Sequence, residues 1–146
     1  MLNLKLKRVS EHAVLPKCGS EKSAGYDLYA ATNTELHIPP HKTVLVPTGW
    51  QMEFPEGYFG AIFARSGIAT KQGLRPANCV GVCDEDYRGE VKVALHNDTD
   101  EPQTIAPQER VAQLVLLPYQ TISISEVDEL SDTSRGEGGF GSTGKL

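Results

Sequence analysis

Asp84-Glu85-Asp86 sets three adjacent carboxylates between a short apolar run and Tyr87-Arg88-Gly89. A carboxylate that faces a pocket can take a proton from water and act as a general base. Three in a row equally suit an exposed turn. If strand alternation persists, Asp84 and Asp86 share one side and Glu85 takes the other. The flanking runs, Asn78 to Cys83 and Glu90 to Val93, read as the two strands of a β-hairpin with the acids at its tip. Tyr87 supplies a flat ring that can pack the hairpin or cover a ligand.

Four other segments carry residues that could serve a site, most of them with chemistry suited to an anion. In A-R-S-G-I-A, Ala64 to Ala69, a strand end runs into a helical candidate. Ser66 and Gly67 would lie at the helix start, where free N–H groups and the helix dipole favour an anion. Arg65 adds a guanidinium suited to phosphate. An N-capping Ser66 beside a surface arginine is the plain alternative. Asp27 interrupts the apolar run A-G-Y-D-L-Y-A and suits a hydrogen-bonded structural carboxylate or a place near a metal. Arg110 and Gln113 sit in E-R-V-A-Q-L-V-L-L-P, where an interior Gln needs a partner, from the protein or from a ligand. Finally, R-G-E-G-G-F-G-S-T-G-K-L ends the sequence with five of its 14 glycines. Backbone N–H groups without a Cβ can turn together towards one anion, and Phe140 could cover a base. A solvated tail has the same composition, and the spacing is not that of a P-loop.

Other chemistries find little support. His12, His37, His41 and His96 lack metal-protease spacing, and Cys79 and Cys83 stand four apart without a matching second pair. No G-x-S-x-G or Cys-His arrangement points to covalent catalysis. Catalysis here would be metal-assisted and use water.

The elements that must position these residues are β-strands. K-T-V-L-V-P-T-G-W, Y-F-G-A-I-F-A, E-V-K-V-A-L-H-N, R-V-A-Q-L-V-L-L-P and T-I-S-I-S-E-V are short and rich in β-branched and aromatic residues, and turn signals separate them. Eight to ten such strands predict an all-β, single-domain jelly roll or distorted β-barrel. The one helical candidate runs from Ser66 to Gly73. We expect a β body over residues 1–130 and a flexible Gly-rich arm over 131–146. The chain has 146 residues, 14 basic against 19 acidic, for a net charge of −5. That balance argues against coating a nucleic-acid polymer. No 18-residue apolar run or secretory leader is evident, and the three cysteines do not make a disulfide framework. A cytoplasmic protein with no membrane partner is expected.

In this order, A-G-Y-D-L-Y-A, A-R-S-G-I-A, the stretch from Asn78 through G-V-C-D-E-D-Y-R-G to Lys92, E-R-V-A-Q-L and R-G-E-G-G-F-G-S-T-G resemble the five motifs of the trimeric dUTP diphosphatase (dUTPase) family. The resemblance spans residues 24 to 144. It implies a jelly-roll subunit in a homotrimer, each active site shared between subunits and closed by a swapped C-terminal arm. It also implies Mg²⁺-assisted hydrolysis of dUTP to dUMP and pyrophosphate, which limits uracil incorporation into DNA and supplies dUMP for thymidylate synthesis.

By that resemblance Asp84 activates the water that attacks the α-phosphorus, and Tyr87 packs on deoxyribose and excludes a 2′-hydroxyl. Asn78, Val82 and Lys92 fall where uracil is read, largely through backbone groups. Arg65, Ser66, Gly67 and Gln113 fall on the phosphate side, and Asp27 near the water shell of Mg²⁺. Arg135, Phe140, Gly141, Ser142 and Thr143 match the arm that clamps the γ-phosphate and covers the base. Cys83, Ala64 and Ile68 stand where the family commonly has Ile, Pro and Leu. The physics agrees, because attack at a triphosphate needs charge neutralisation and an in-line water. A base edge that leaves buried polar groups unpaired loses about 1–3 kcal/mol per group, which would reject cytosine.

Two competitors are weaker. dCTP deaminase resembles the same fold, but its pattern carries a Glu where this sequence has Ala94. A silent jelly-roll binding module would have no use for Asp84 and a complete arm.

Overall fold

The computed structural model describes residues 2–139. Eleven strands and one helix follow in chain order: β1 (Lys5–Arg8), β2 (Lys17–Cys18), β3 (Tyr26–Tyr29), β4 (Leu36–Ile38), β5 (Thr43–Glu53), β6 (Tyr58–Phe63), α1 (Ser66–Gln72), β7 (Leu74–Pro76), β8 (Val80–Cys83), β9 (Glu90–Asn97), β10 (Gln103–Ile105) and β11 (Arg110–Pro118). They form a four-stranded sheet β1-β5-β9-β7, a five-stranded sheet β2-β3-β11-β6-β8 and a ribbon β10-β4. All pairings between these strands are antiparallel. The fold is an all-β jelly roll with one short helix.

Strand alternation builds the core. In β9, Val91, Val93 and Leu95 point inward, and Leu114 and Ile62 face them from the other sheet's inner side. Asn97 is the polar exception. It is fully buried, yet its amide donates to the carbonyls of Ile38 and Glu101, and its oxygen accepts from the Thr99 N–H and hydroxyl. The long β5 slips register between Pro47 and Gln51. Gly49 makes that bulge possible, because it lies at φ 74° and a Cβ there would meet Ala13 at 2.5 Å. Glu90 holds the bulge by accepting the Gly49 N–H at 2.9 Å.

The outer face of the five-stranded sheet is unusually apolar. Phe63 and Gln113 are register partners, as are Ala61 with Val115 and with Val82. Phe59, Phe63, Val115 and Leu117 on that face are only half-buried, and Val82 is exposed.

Three local expectations need correction. T-I-S-I-S-E-V forms no strand: β11 ends at Pro118, and the following residues run exposed, with Ile122, Ile124, Val127 and Leu130 uncovered. β-Branched composition favours extended backbone, but a strand needs a neighbour, and among the described residues the segment has none. Ser66 is the first helical residue, and Arg65 occupies the cap position without a side-chain capping bond. The C-terminal end behaves as expected, with Gly73 left-handed at φ 62°. Most consequential, β8 and β9 are not paired. They belong to different sheets, β8 at the edge of one and β9 between β5 and β7 in the other, so the expected hairpin is only a turn that connects them. Among the described residues no helix is long and apolar enough to cross a membrane.

Candidate active site

Antiparallel pairing of β3, β11 and β6 sets Asp27 opposite Gln113 and Gln113 opposite Phe63. β6 then delivers Ala64, Arg65 and Ser66 to the same place, a cleft of about 600 Å³ that Arg110 also lines. Arg65 Nε donates to Asp27 Oδ1 at 2.7 Å and an Arg110 η nitrogen donates to Oδ2 at 3.3 Å. The Asp27 side chain is only 15 % exposed. Two guanidiniums against one carboxylate leave a net positive charge, a chemistry suited to phosphate oxygens. Gln113 finds the partner its interior position requires, donating from Nε2 to the Ala64 carbonyl at 2.9 Å. Gly25 makes room for it, since a Cβ there would stand 2.5 Å from Gln113 Oε1. Ser66 and Gly67 are exposed at the helix start, and a Cβ on Gly67 would meet nothing within 4 Å.

A second group of residues gathers around β8. The gap between β8 and β9 is a slot of about 130 Å³ lined by Asn78, Gly81, Val82, Cys83, Lys92 and Ala94 among others. β8 is a sheet edge, and β7 pairs only with Leu95, His96 and Asn97 of β9. β8 and the first half of β9 therefore each keep one side without a ladder, whose N–H and C=O groups can meet whatever enters between them. The loop entering β8 is tight, with Cys79 at φ 65° and the Val80 N–H bonded to the Asn78 carbonyl at 2.7 Å. Burial, with a contribution from the charge of Asp84, pushes the Cys83 thiol up to about 11. Cys83 is therefore a neutral, apolar wall.

The acidic tip follows at once. Asp84, Glu85 and Asp86 all line one cleft of about 630 Å³ with Phe59, Val82 and Tyr119. The expected alternation of one carboxylate against two does not occur, because the chain turns here and the Asp84 carbonyl accepts the Tyr87 N–H at 3.1 Å. Glu85 differs from its neighbours by its bonds, taking the Gly57 N–H at 2.7 Å and the Tyr119 hydroxyl at 2.8 Å. Tyr87 lines neither the slot nor this cleft. Its hydroxyl donates to the Glu90 carbonyl at 3.2 Å, and its ring lies over Gly89, where a Cβ would meet the hydroxyl oxygen at 2.3 Å.

The chain thus brings its expected site residues together in two sets. Asp27, Arg65, Ser66 and Gln113 share one cleft, whereas Asn78, Val82 and Lys92 line the slot beside the Asp84 tip. No residue belongs to both sets. Arg135 joins neither, and instead its Nε closes a turn on the Gly138 carbonyl at 2.7 Å. Phe140, Gly141, Ser142 and Thr143 lie outside the described residues. Arg110, singled out with Gln113 in the sequence but given no role by the resemblance, joins the site through Asp27, which it meets from across a bulge in β11. Among the described residues no three His, Cys, Asp or Glu side chains converge to hold a metal ion.

An antiparallel jelly roll with an arginine-bearing cleft and a separate slot between β8 and β9 defines an all-β protein whose clefts suit a small anionic ligand. The dUTPase family model matches residues 11–144. A deoxyuridine 5′-triphosphate nucleotidohydrolase from Nautilia profundicola is 43 % identical over 144 residues, covering 99 % of this chain and all of the relative. The dUTPase of Staphylococcus bacteriophage 80alpha, solved with dUpNHpp, superposes with a TM-score of 0.87 at 29 % identity, over 97 % of this chain and 98 % of the other. A mutant dUTPase from phage phi11 of S. aureus, described with a structural Mg(II) ion, shares the fold at 23 % identity and a TM-score of 0.79, over 89 % and 99 % of the two chains. The chain belongs to the dUTPase family.

Proposed function

We propose that this protein is a dUTP diphosphatase, hydrolysing dUTP to dUMP and pyrophosphate and so limiting uracil in DNA while supplying dUMP. One observation carries the assignment beyond family membership. The base-sized slot adjoining Asp84 and the arginine cleft are separate, as a nucleotide triphosphate with its base and phosphates held by different surfaces would require.

In this mechanism Asn78, Val82 and Lys92 read uracil, largely through backbone groups, and Tyr87 packs on the deoxyribose. Arg65, Ser66, Gly67 and Gln113 hold phosphate oxygens. Asp84 takes a proton from water, the water oxygen bonds to the α-phosphorus, and the bond to the bridging oxygen breaks, releasing pyrophosphate. Arg135, Phe140, Gly141, Ser142 and Thr143 close over the site. Mg²⁺ would suit this site as a companion of the triphosphate, with Asp27 the nearest acidic residue to its water shell, and would supply charge neutralisation of the phosphates when bound. Asp27 accepts from Arg65 on one oxygen and from Arg110 on the other, and the lone pair left on each could meet a water of the ion's shell.

A homotrimer with sites shared between subunits supplies the missing proximity of the two sets. The half-buried apolar outer face of the five-stranded sheet and the uncovered Ile122, Ile124, Val127 and Leu130 support such packing, with the arm passing to a neighbour. We place the enzyme in the cytoplasm, in keeping with three free cysteines. The test is incubation with dUTP, Mg²⁺ and ¹⁸O-water. Pyrophosphate release with the label in dUMP is expected, whereas label in pyrophosphate would place attack on the β-phosphorus, and no release would reject the hydrolase.

A further inference from the structure

We propose that Glu85 is a positioning residue for Asp84, its carboxylate clamping the acidic tip to Gly57 and Tyr119. The inference rests on Asp84 being the base in dUTP hydrolysis. A single oxygen, Glu85 Oε2, accepts both the Gly57 N–H at 2.7 Å and the Tyr119 hydroxyl at 2.8 Å. The two donors are themselves joined, because the Gly57 carbonyl accepts the Tyr119 N–H at 3.0 Å. The result is a closed triangle linking three elements: the tip after β8, the β5–β6 turn and the residue that follows β11.

Each corner is fixed independently. Gly57 occupies the left-handed region at φ 75° in the turn Pro55-Glu56-Gly57, which aims its N–H and C=O at two different partners. Tyr119 keeps its proton: the hydrogen bond to Glu85 is the main reason its hydroxyl is pushed above the usual tyrosine range. The tip is also tied from its own far side, where Arg88 donates to the Glu85 and Tyr87 carbonyls. Asp84 and Asp86 gain nothing comparable among the described residues. Asp84 stands one residue from the clamp, in a turn closed by its own carbonyl, so the clamp leaves its main chain little freedom. Positioning matters at such a group, since about 1 Å of displacement can cost about 10²-fold in rate.

The clamp needs an acceptor oxygen rather than a charge. Gln at position 85 offers one in the same place, and Ala offers none. The experiment compares the full-length wild type, Asp84→Asn, Glu85→Ala, Glu85→Gln and Tyr119→Phe for kcat, KM and affinity for dUpNHpp. Glu85→Ala should lower kcat by about 10- to 100-fold while analogue affinity changes by less than about threefold. Glu85→Gln should recover most of the rate, and Tyr119→Phe should fall between. The double variant Glu85→Ala/Tyr119→Phe should be no slower than Glu85→Ala, because both changes remove bonds to one oxygen. Wild-type kcat in Glu85→Ala would overturn the clamp. So would a Glu85→Gln as slow as Glu85→Ala, which would make the charge itself the requirement, or an equal loss of analogue affinity, which would reduce Glu85 to general support. If Glu85→Ala does not fold, Tyr119→Phe decides, and an unchanged kcat there overturns the proposal. A wild type that fails to turn over dUTP refutes the hydrolase assignment and the clamp together, and is distinguished from every other outcome by that control.

Discussion

Asp27 Oδ1 lies 2.7 Å from Arg65 Nε, in a partly buried pair whose side chains are 15 % and 25 % exposed. Because Arg110 reaches the other oxygen, this one carboxylate sets the direction of two cations at the mouth of the same cleft.

Asp27→Asn should therefore weaken phosphate handling and folding together. Losing a charge-assisted bond to a part-buried arginine costs about 1–3 kcal/mol. Denaturant midpoints should fall, and KM for dUTP should rise more than kcat drops. An unchanged midpoint and KM would remove Asp27 from both roles.

Asp84→Asn retains size and hydrogen-bonding shape but cannot accept the water's proton. We expect kcat to fall by at least about 10²-fold, with nucleotide binding retained. Near-normal turnover would shift the base to Asp86, which lines the same cleft.

Tyr87→Ala tests sugar selection. The ring is held over Gly89 by the bond to the Glu90 carbonyl, so it presents a fixed surface 45 % exposed. The variant should hydrolyse dUTP less well and discriminate less against UTP. A constant ratio of kcat/KM for the two nucleotides would show that another group excludes the ribose.

Cys83 should resist thiol reagents at pH 8 while the exposed Cys18 and Cys79 react. With its thiol at about 11, roughly one molecule in a thousand carries the thiolate at that pH. The native thiol holds its proton more tightly than the unfolded one. Stability is therefore unaffected at neutral pH and declines as pH rises from the ordinary value of 9.0 towards 11. Rapid labelling of three thiols in folded protein would contradict the buried wall.

Subunit sharing is tested by complementation. Residues 135–146 extend to roughly 40 Å, enough to reach a neighbouring subunit. Neither the Asp84→Asn chain nor a chain lacking residues 135–146 should be active alone. Refolded together, they should regain activity if Asp84 and the arm of one site come from different chains. A mixture as inactive as its components would place both on the same chain.

Sequence made the strands legible where burial alternates, as in Val91, Val93 and Leu95, and it located α1 through the glycine that ends it. It could not reveal that β8 and β9 join different sheets, because their ladders run to β6 and to β5 and β7, far away in sequence. The T-I-S-I-S-E-V segment misled for a related reason: its composition is right for a strand whose partner the described residues do not provide. At the candidate site, the residue types of Arg65, Asp27 and Gln113 suggested anion chemistry, but their mutual bonds depend on strand register. Glu85 was visible only as one of three acids. What separates it from Asp84 and Asp86 is the backbone of Gly57, 28 residues earlier in the chain.

Gly67 has a consequence for how this fold trades robustness against work. It is the second residue of a seven-residue helix, where alanine has the better helix propensity by up to about 1 kcal/mol, and no described residue would touch the added methyl group. Gly67→Ala should therefore raise the melting temperature of the body. Any activity lost in the same variant measures a contact made from outside the described residues, such as by nucleotide or by a neighbouring subunit. The substitution separates what this position does for the folded subunit from what it does for the working site, and the two should carry opposite signs.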